Sequence, residues 1–424
     1  MGTRAWVRVL LLLLAGVCVA CSRRAPRVEE WGRPESVSEP AVAPSLVEPV
    51  AAIDALTGDA SRGRELVARF ECNRCHDGSG LAAVPLEKNC FSCHEQIATG
   101  KFKVSAEALA RFRPHILDAR DAPSLTAIGA RLERTWIRDY LLSPRDLRPK
   151  LMPTMPRLAL DAEQASDIAA YLAARDRALG TPLRAGNALH GRELMEHKAC
   201  SSCHSFSGVP AFASGTAPPA DSDVSRSAAL APDLRFTRER FRRDRLSAWL
   251  LDPKAVKPDT RMPNFGLSGD EANDIAAYIL TAELAPAPSE TFTRLPVLAR
   301  RVSYDEVNTK VFSRTCHHCH SDPESSGGDG GPGNTGGFGF APRGVSFSSH
   351  ASILAGYLDE RGQRRSLFEP VAGAPRLIAA LLARQDEANQ KYSQAVRGMP
   401  LGLPPLSPED VQLVETWVAE GKPM

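Results

Sequence analysis

Four copies of one five-residue pattern, C-x-x-C-H, constrain this 424-residue chain more than any other feature in it. They end at His76, His94, His204 and His320, and their cysteine pairs are Cys72 and Cys75, Cys90 and Cys93, Cys200 and Cys203, and Cys316 and Cys319. The other two cysteines, Cys18 and Cys21, lie near the N-terminus, so none is left over for a structural disulfide. Ten histidines in the chain would put one after a given C-x-x-C by chance about one time in forty, so four in four is not chance.

Two thiols three residues apart on one turn can both reach the vinyl groups of a single porphyrin and become thioethers, while the next residue presents its imidazole to the iron. The pattern therefore predicts four covalently bound haem c groups. Zinc ribbons would combine C-x-x-C pairs two by two into tetrahedral sites, but they need no histidine after each pair. A thioredoxin-like dithiol would need a βαβ pattern around it, and none surrounds any of these pairs.

Residues 1–21, "MGTRAWVRVLLLLLAGVCVAC", read as a secretory signal: Arg4 and Arg8 precede an apolar run too short to span a bilayer, and small residues follow. Cleavage before Cys21 would leave a cysteine for lipid attachment, as in bacterial lipoproteins, although Cys18 stands where those usually carry leucine. Ordinary signal cleavage at the same bond is the competing reading. Both place the chain in the periplasm, with membrane anchoring only through the leader or a lipid on Cys21. A formal net charge of +2 argues for neither a nucleic-acid nor an acidic-membrane partner, and no nucleic acid is expected. Aromatic residues make up only 6%, so porphyrin faces are expected to complete the cores.

Residues 22–58, rich in Pro, Val, Glu and Ala without a period, read as a flexible linker. After it the chain repeats itself. "GRELVARFECNRCH" from Gly63 matches "GRELMEHKACSSCH" from Gly191, with the glycine nine residues ahead of the first cysteine in both. "APSL" at Ala122 matches "APDL" at Ala231, and Tyr140 and Trp249 each follow eighteen residues after that alanine. "MPRLALDAEQASDIAAYL" from Met155 matches "MPNFGLSGDEANDIAAYI" from Met262. Each copy predicts a helix entering the motif, a middle helix, a Met-Pro loop, and a terminal helix packed across the first; in the first copy Ile168, Ala169, Tyr171 and Leu172 recur there at helical spacing.

Both repeats resemble the small all-α cytochrome c family, over roughly residues 60–175 and 188–282. The resemblance implies His76 with Met155 and His204 with Met262 as axial ligands. It also implies that the carbonyls of Pro123 and Pro232 hold the second ring nitrogen of each histidine, which orients the ring and raises its basicity. Met152 is the rival of Met155, whose distance to Tyr171 agrees with the other repeat. A divergent third unit at 302–424 carries "TCHHCH", a glycine-rich stretch that must be loop, and "RGMPLGLPPLSPEDVQLVETWVAEG"; it implies His320 with Met399. His317 and His318 are expected to face solvent, and His350 is a substitute ligand of low weight. The fold class is thus all-α: three tandem small cytochrome c-like domains at 59–180 (two haems), 186–284 (one) and 302–424 (one).

Forty-five residues separate His76 from Ala122, against twenty-six between His204 and Ala231, so the motif at Cys90, Cys93 and His94 is read as an insertion in the first domain. Its sixth ligand is expected at His115, with Met152 as fallback. The function expected is that of a tetrahaem c-type cytochrome passing single electrons between a redox protein donor and acceptor, respiratory partners outside the cytoplasmic membrane. It would act as a free or lipid-anchored carrier, its domains joined flexibly through residues 206–230, or as a subunit of a respiratory complex. The alternative is a haem enzyme, peroxidase-like or oxidising sulfur compounds, using an open second haem. No G-x-S-x-G motif accompanies it.

Overall fold

The computed structural model describes residues 57–117, 119–174, 184–209, 219, 222–287, 289–322 and 331–424. The leader and nearly all of the linker lie outside them, so neither reading is addressed there. The first repeat contains α1 (Ala60–Arg69), α2 (Cys90–Ala98), α3 (Ala106–Ile116), α4 (Arg134–Leu142) and α5 (Ala162–Ala174). The second contains α6 (Ala188–His197), α7 (Asp223–Leu230), α8 (Leu246–Leu251) and α9 (Gly269–Thr281). In the third, α10 (Tyr304–Val307) continues as a π-helix over Asn308–Cys316, and α11 (Arg376–Ala388) and α12 (Pro408–Ala419) follow. The strands are two short antiparallel hairpins, Tyr357–Leu358 with Arg364–Arg365 and Pro370–Val371 with Ala374–Pro375. The chain is all-α in character.

The glycine shared by the repeats has a steric cause. A Cβ on Gly63 would lie 2.0 Å from the Asp167 carbonyl oxygen on α5, and one on Gly191 would lie 2.0 Å from that of Asp274 on α9. Only glycine lets the first and last helices cross this closely. The same acids hold the helix entries: the Asp59 N–H donates to Asp167 Oδ1 at 2.6 Å, and the Asn187 N–H to Asp274 Oδ1 at 2.6 Å. Asp59 and Asn187 in turn cap α1 and α6, their side chains accepting from two N–H groups each. Val67 and Ile168 on one side, Met195 and Ile275 on the other, are almost fully buried at these crossings; each such side chain stabilises by about 1.5–3 kcal/mol.

The two repeats are not tethered separately, contrary to the flexible connection expected through residues 206–230. Their buried side chains form one continuous core from Val67 to Ile279. An antiparallel bridge pairs Leu132 with Phe241, flanked by Glu133 N–H to Arg240 O (2.9 Å) and Arg242 N–H to Arg131 O (2.7 Å). Most of the segment 210–221 lies outside the described residues, but α7 after it is seated by Arg226, which donates to both carboxylate oxygens of Asp121 at 2.9 Å.

The third unit has its own core, centred on Trp417, Phe312, Ile353 and Ile378. It docks on the first repeat. The Phe338 N–H donates to Glu71 Oε2 at 2.9 Å. On the other side Arg157 pairs with buried Glu387 at 2.9 Å, and the Thr154 N–H donates to Gly402 O at 2.9 Å.

Candidate haem centres

In both repeats the residue before the first cysteine, Glu71 or Ala199, is held at a positive φ of 51° or 52°, which turns the chain out of the preceding helix. One 3₁₀ turn follows in each, Cys72–Arg74 and Cys200–Ser202, closed by the histidine N–H donating to the first cysteine's carbonyl at 2.9 Å. The second motif is built differently. It opens α2, which Asn89 caps by accepting from the Ser92 N–H at 2.9 Å. In the third unit the motif ends the π-helix, a distortion common at functional sites; His320 N–H donates to Cys316 O at 3.0 Å.

Three of the four histidines present their rings identically. His76 Nδ1 lies 2.8 Å from Pro123 O, His204 Nδ1 2.8 Å from Pro232 O, and His94 Nδ1 2.5 Å from Ala119 O. A carbonyl can only accept, so each Nδ1 carries the proton and each Nε2 keeps a lone pair for a metal. Burial holds all three imidazoles below the ordinary histidine range, against the hydrogen bond to the carbonyl, which raises it. The proline carbonyls expected from the sequence are in place.

His320 differs. Its ring is cradled on Gly333, where a Cβ would come within 2.0 Å of the ring, and lies 5.5 Å from the Phe347 ring. Its Nδ1 makes no hydrogen bond of full geometry. Burial pushes it to about 4, with the Val345 and Gly333 backbone close enough to oppose the shift.

The eight motif cysteines are half-buried. Burial raises Cys72 and Cys316 to about 12 and Cys200 to about 11. The Cys75 and Cys90 sulfurs are 3.9 Å apart, so the doubled motif places two attachment edges side by side. Among the described residues no group of three or more His, Cys, Asp or Glu gathers as a metal site.

Cys200, Cys203, His204, Met195, Met262 and Phe265 line one cavity of about 620 Å³, which the first repeat walls with Cys75 and Pro123. The sequence-predicted pair His204 and Met262 is thus brought to one hollow. Its wall also carries basic groups the sequence reading missed. Arg240, only 6% exposed, has an unpartnered Nε, and its guanidinium is lowered to about 9 by burial and by neighbouring Arg148 and Arg131. A buried cation beside like charges calls for an anion. A porphyrin with its propionate carboxylates fits this donor set, the cavity and the ring presentation together. The arginine-dense run "RFTRERFRRDRL" from Arg235 was the available signal.

Met155 packs on the shared core with Cys72. Met399 lies after the docked Glu387 corner, its N–H donating to Ala380 O at 2.9 Å. Met152 is half-buried in the same loop as Met155. His115 falls on α3, but its side chain is outside the described residues. His350 places its Nε2 2.9 Å from the Lys422 carbonyl oxygen. His317, expected in solvent, is half-buried with Nε2 2.8 Å from Phe347 O. His318 is exposed as expected, yet its ring centre lies 5.6 Å from that of His94.

The family model for cytochrome c matches residues 82–175 and 188–283. Cytochrome c-552 of Bradyrhizobium diazoefficiens is 39% identical over 95 residues, covering 22% of this chain and 74% of that protein. No solved structure matches. The chain belongs to the cytochrome c family and is a haem electron-transfer protein with tandem cytochrome c domains. The first match begins beyond His76, inside the insertion, so the equivalence of His76 with His204 rests on Gly63 and Gly191 and on the two proline carbonyls. Among the described residues no helix is long and apolar enough to cross a membrane.

Proposed function

We propose that the chain is a tetrahaem c-type cytochrome that relays single electrons between redox proteins outside the cytoplasm. The observation that carries this is the ring presentation: three motif histidines fix Nδ1 on a backbone carbonyl and leave Nε2 to ligate. Haem iron, when bound, supplies the one-electron chemistry. The residues do the rest. Cys72 and Cys75, Cys90 and Cys93, Cys200 and Cys203, and Cys316 and Cys319 would tether four porphyrins; His76, His94, His204 and His320 would ligate their iron. Met155, Met262 and Met399 would add thioether ligands, which raise the potential. Arg240 and Arg148, on the wall of the cavity that holds His204, would pair with the propionates of the porphyrin there.

The contact between Cys75 and Cys90 supports rapid exchange within the first domain, and the shared core of the two repeats supports a rigid relay rather than a swinging one. The leader supports a periplasmic location with processing before Cys21, and respiratory donor and acceptor proteins are the partners this chemistry requires. A redox titration followed by spectra tests the ligand sets. Met155→Ala, Met262→Ala and Met399→Ala should each lower the potential of one haem and leave the other three unchanged. A substitution that moves no haem removes that methionine from the assignment.

A further inference from the structure

The second attachment site has a histidine from another unit beside it. His318, between Cys316 and Cys319 of the third unit, places its ring centre 5.6 Å from that of His94, at an interplanar angle of 48°. Two imidazoles coordinated on opposite faces of one metal, each with a metal–nitrogen distance of about 2.0–2.1 Å, leave their ring centres roughly 6 Å apart. His94 commits Nδ1 to the Ala119 carbonyl, so its ligating edge is Nε2.

The position of His318 is fixed by docking rather than by a loose surface. The glycine-rich loop after the motif presses back on it: a Cβ on Gly331 would lie 2.6 Å from the Cys319 Cα. The same loop is seated on the first repeat. Phe338 donates its N–H to Glu71 (2.9 Å), the Arg74 guanidinium lies 5.2 Å from the Phe338 ring centre, and Gly339 meets the Phe70 ring so closely that a Cβ would come within 2.5 Å. Arg157 and Glu387 hold the far side of the interface, the pair only 16% and 7% exposed.

We propose that His318 is the sixth ligand of the second haem, making it a bis-histidine centre completed across the interface between the first repeat and the third unit. This rests on the reading that Cys90 and Cys93 carry a haem. One turn of the third unit would then tether one porphyrin through Cys316 and Cys319 and ligate the iron of another through His318. The second and fourth centres would be joined through a few covalent bonds, and the second would be the lowest in potential, since it alone lacks methionine.

The test uses full-length protein matured in a host that attaches c-type haem, with haem content by mass spectrometry and spin state by low-temperature electron paramagnetic resonance and near-infrared magnetic circular dichroism. Wild type should hold four low-spin haems, one with the bis-histidine signature. His318→Ala should keep four haems and turn one of the four high-spin. His318→Met should keep it low-spin, replacing the bis-histidine signature with a sulfur-to-iron band, and decides the matter if the alanine variant loses haem. His115→Ala should change nothing. The proposal is overturned if the bis-histidine signal survives both His318 substitutions, or disappears in His115→Ala. A wild-type count of three, with Cys90 and Cys93 unmodified, overturns the underlying reading instead and is seen before any ligand variant is made.

Discussion

The first and second repeats solve one folding problem with the same residues and then diverge in one loop. In both, a glycine lets the first helix cross the last, an acid from the last helix holds the N-terminus of the first, and a proline carbonyl holds the motif histidine. Only the first carries an extra stretch between its histidine and that proline, with α2, α3 and the second C-x-x-C-H. The helix crossing and the proline anchor lie at the ends of this loop. Whatever fills it is free to change while the centre at its base stays fixed. A second C-x-x-C-H can thus be added to a one-motif domain without redesigning its core.

The crossing is where this equivalence breaks most severely. Gly63→Ala and Gly191→Ala should each destabilise their own repeat by about 3 kcal/mol, the upper end of overpacking costs, because backbone rather than a movable side chain is in the way. Thermal unfolding of the two variants should agree; a large difference would mean the crossings are not equivalent. The shared core predicts in addition that either substitution lowers the apparent stability of both repeats together.

A smaller effect separates the two acids. Asp167→Ala removes hydrogen bonds from the Asp59 N–H and the Arg62 guanidinium at a side chain only 3% exposed, and should cost about 1.5–3 kcal/mol. Asp274→Ala should cost less, since Asp274 is more open to water, and chemical denaturation of the two variants should rank them in that order.

The smallest effect is in pH dependence, and it sharpens the comparison because the partners differ. Asp167 is paired with Arg62 and held below the ordinary carboxylate range by that guanidinium and the Asp59 N–H, against the opposing effect of burial. Its contribution is present above the unfolded carboxylate value and is lost as pH falls through the lowered one. His190 instead is raised by its hydrogen bond to Asp274. Its contribution is complete below the ordinary histidine value of about 6.5 and is lost as pH rises through the raised one. The second repeat should therefore lose stability as pH rises through the raised His190 value where the first does not, and His190→Arg should abolish that difference in melting curves recorded against pH.

Much of this was legible because it repeats. Gly63 and Gly191, Met155 and Met262, and the two "DIAAY" helices announced themselves by matching offsets, and the motif histidines by the cysteines before them. The merging of the two repeats into one core was not legible, since Leu132 and Phe241 are ordinary apolar residues until the chain brings them into register. Nor was the approach of His318 to His94. It joins residues more than two hundred positions apart through a glycine-rich loop whose docking depends on Phe338, Glu71 and Arg74, and no local period encodes that. The arginines around Arg240 form a visible charge run, but only the fold shows that Arg240 and Arg245 are buried.

The proposed relay requires four covalently attached haems, with two of them side by side in the first domain. Peptide-level mass spectrometry of protein matured in a competent host counts them. One haem adduct is expected on each of the four cysteine pairs, including Cys90 and Cys93. Unmodified Cys90 and Cys93, or zinc in place of porphyrin at any pair, would contradict it.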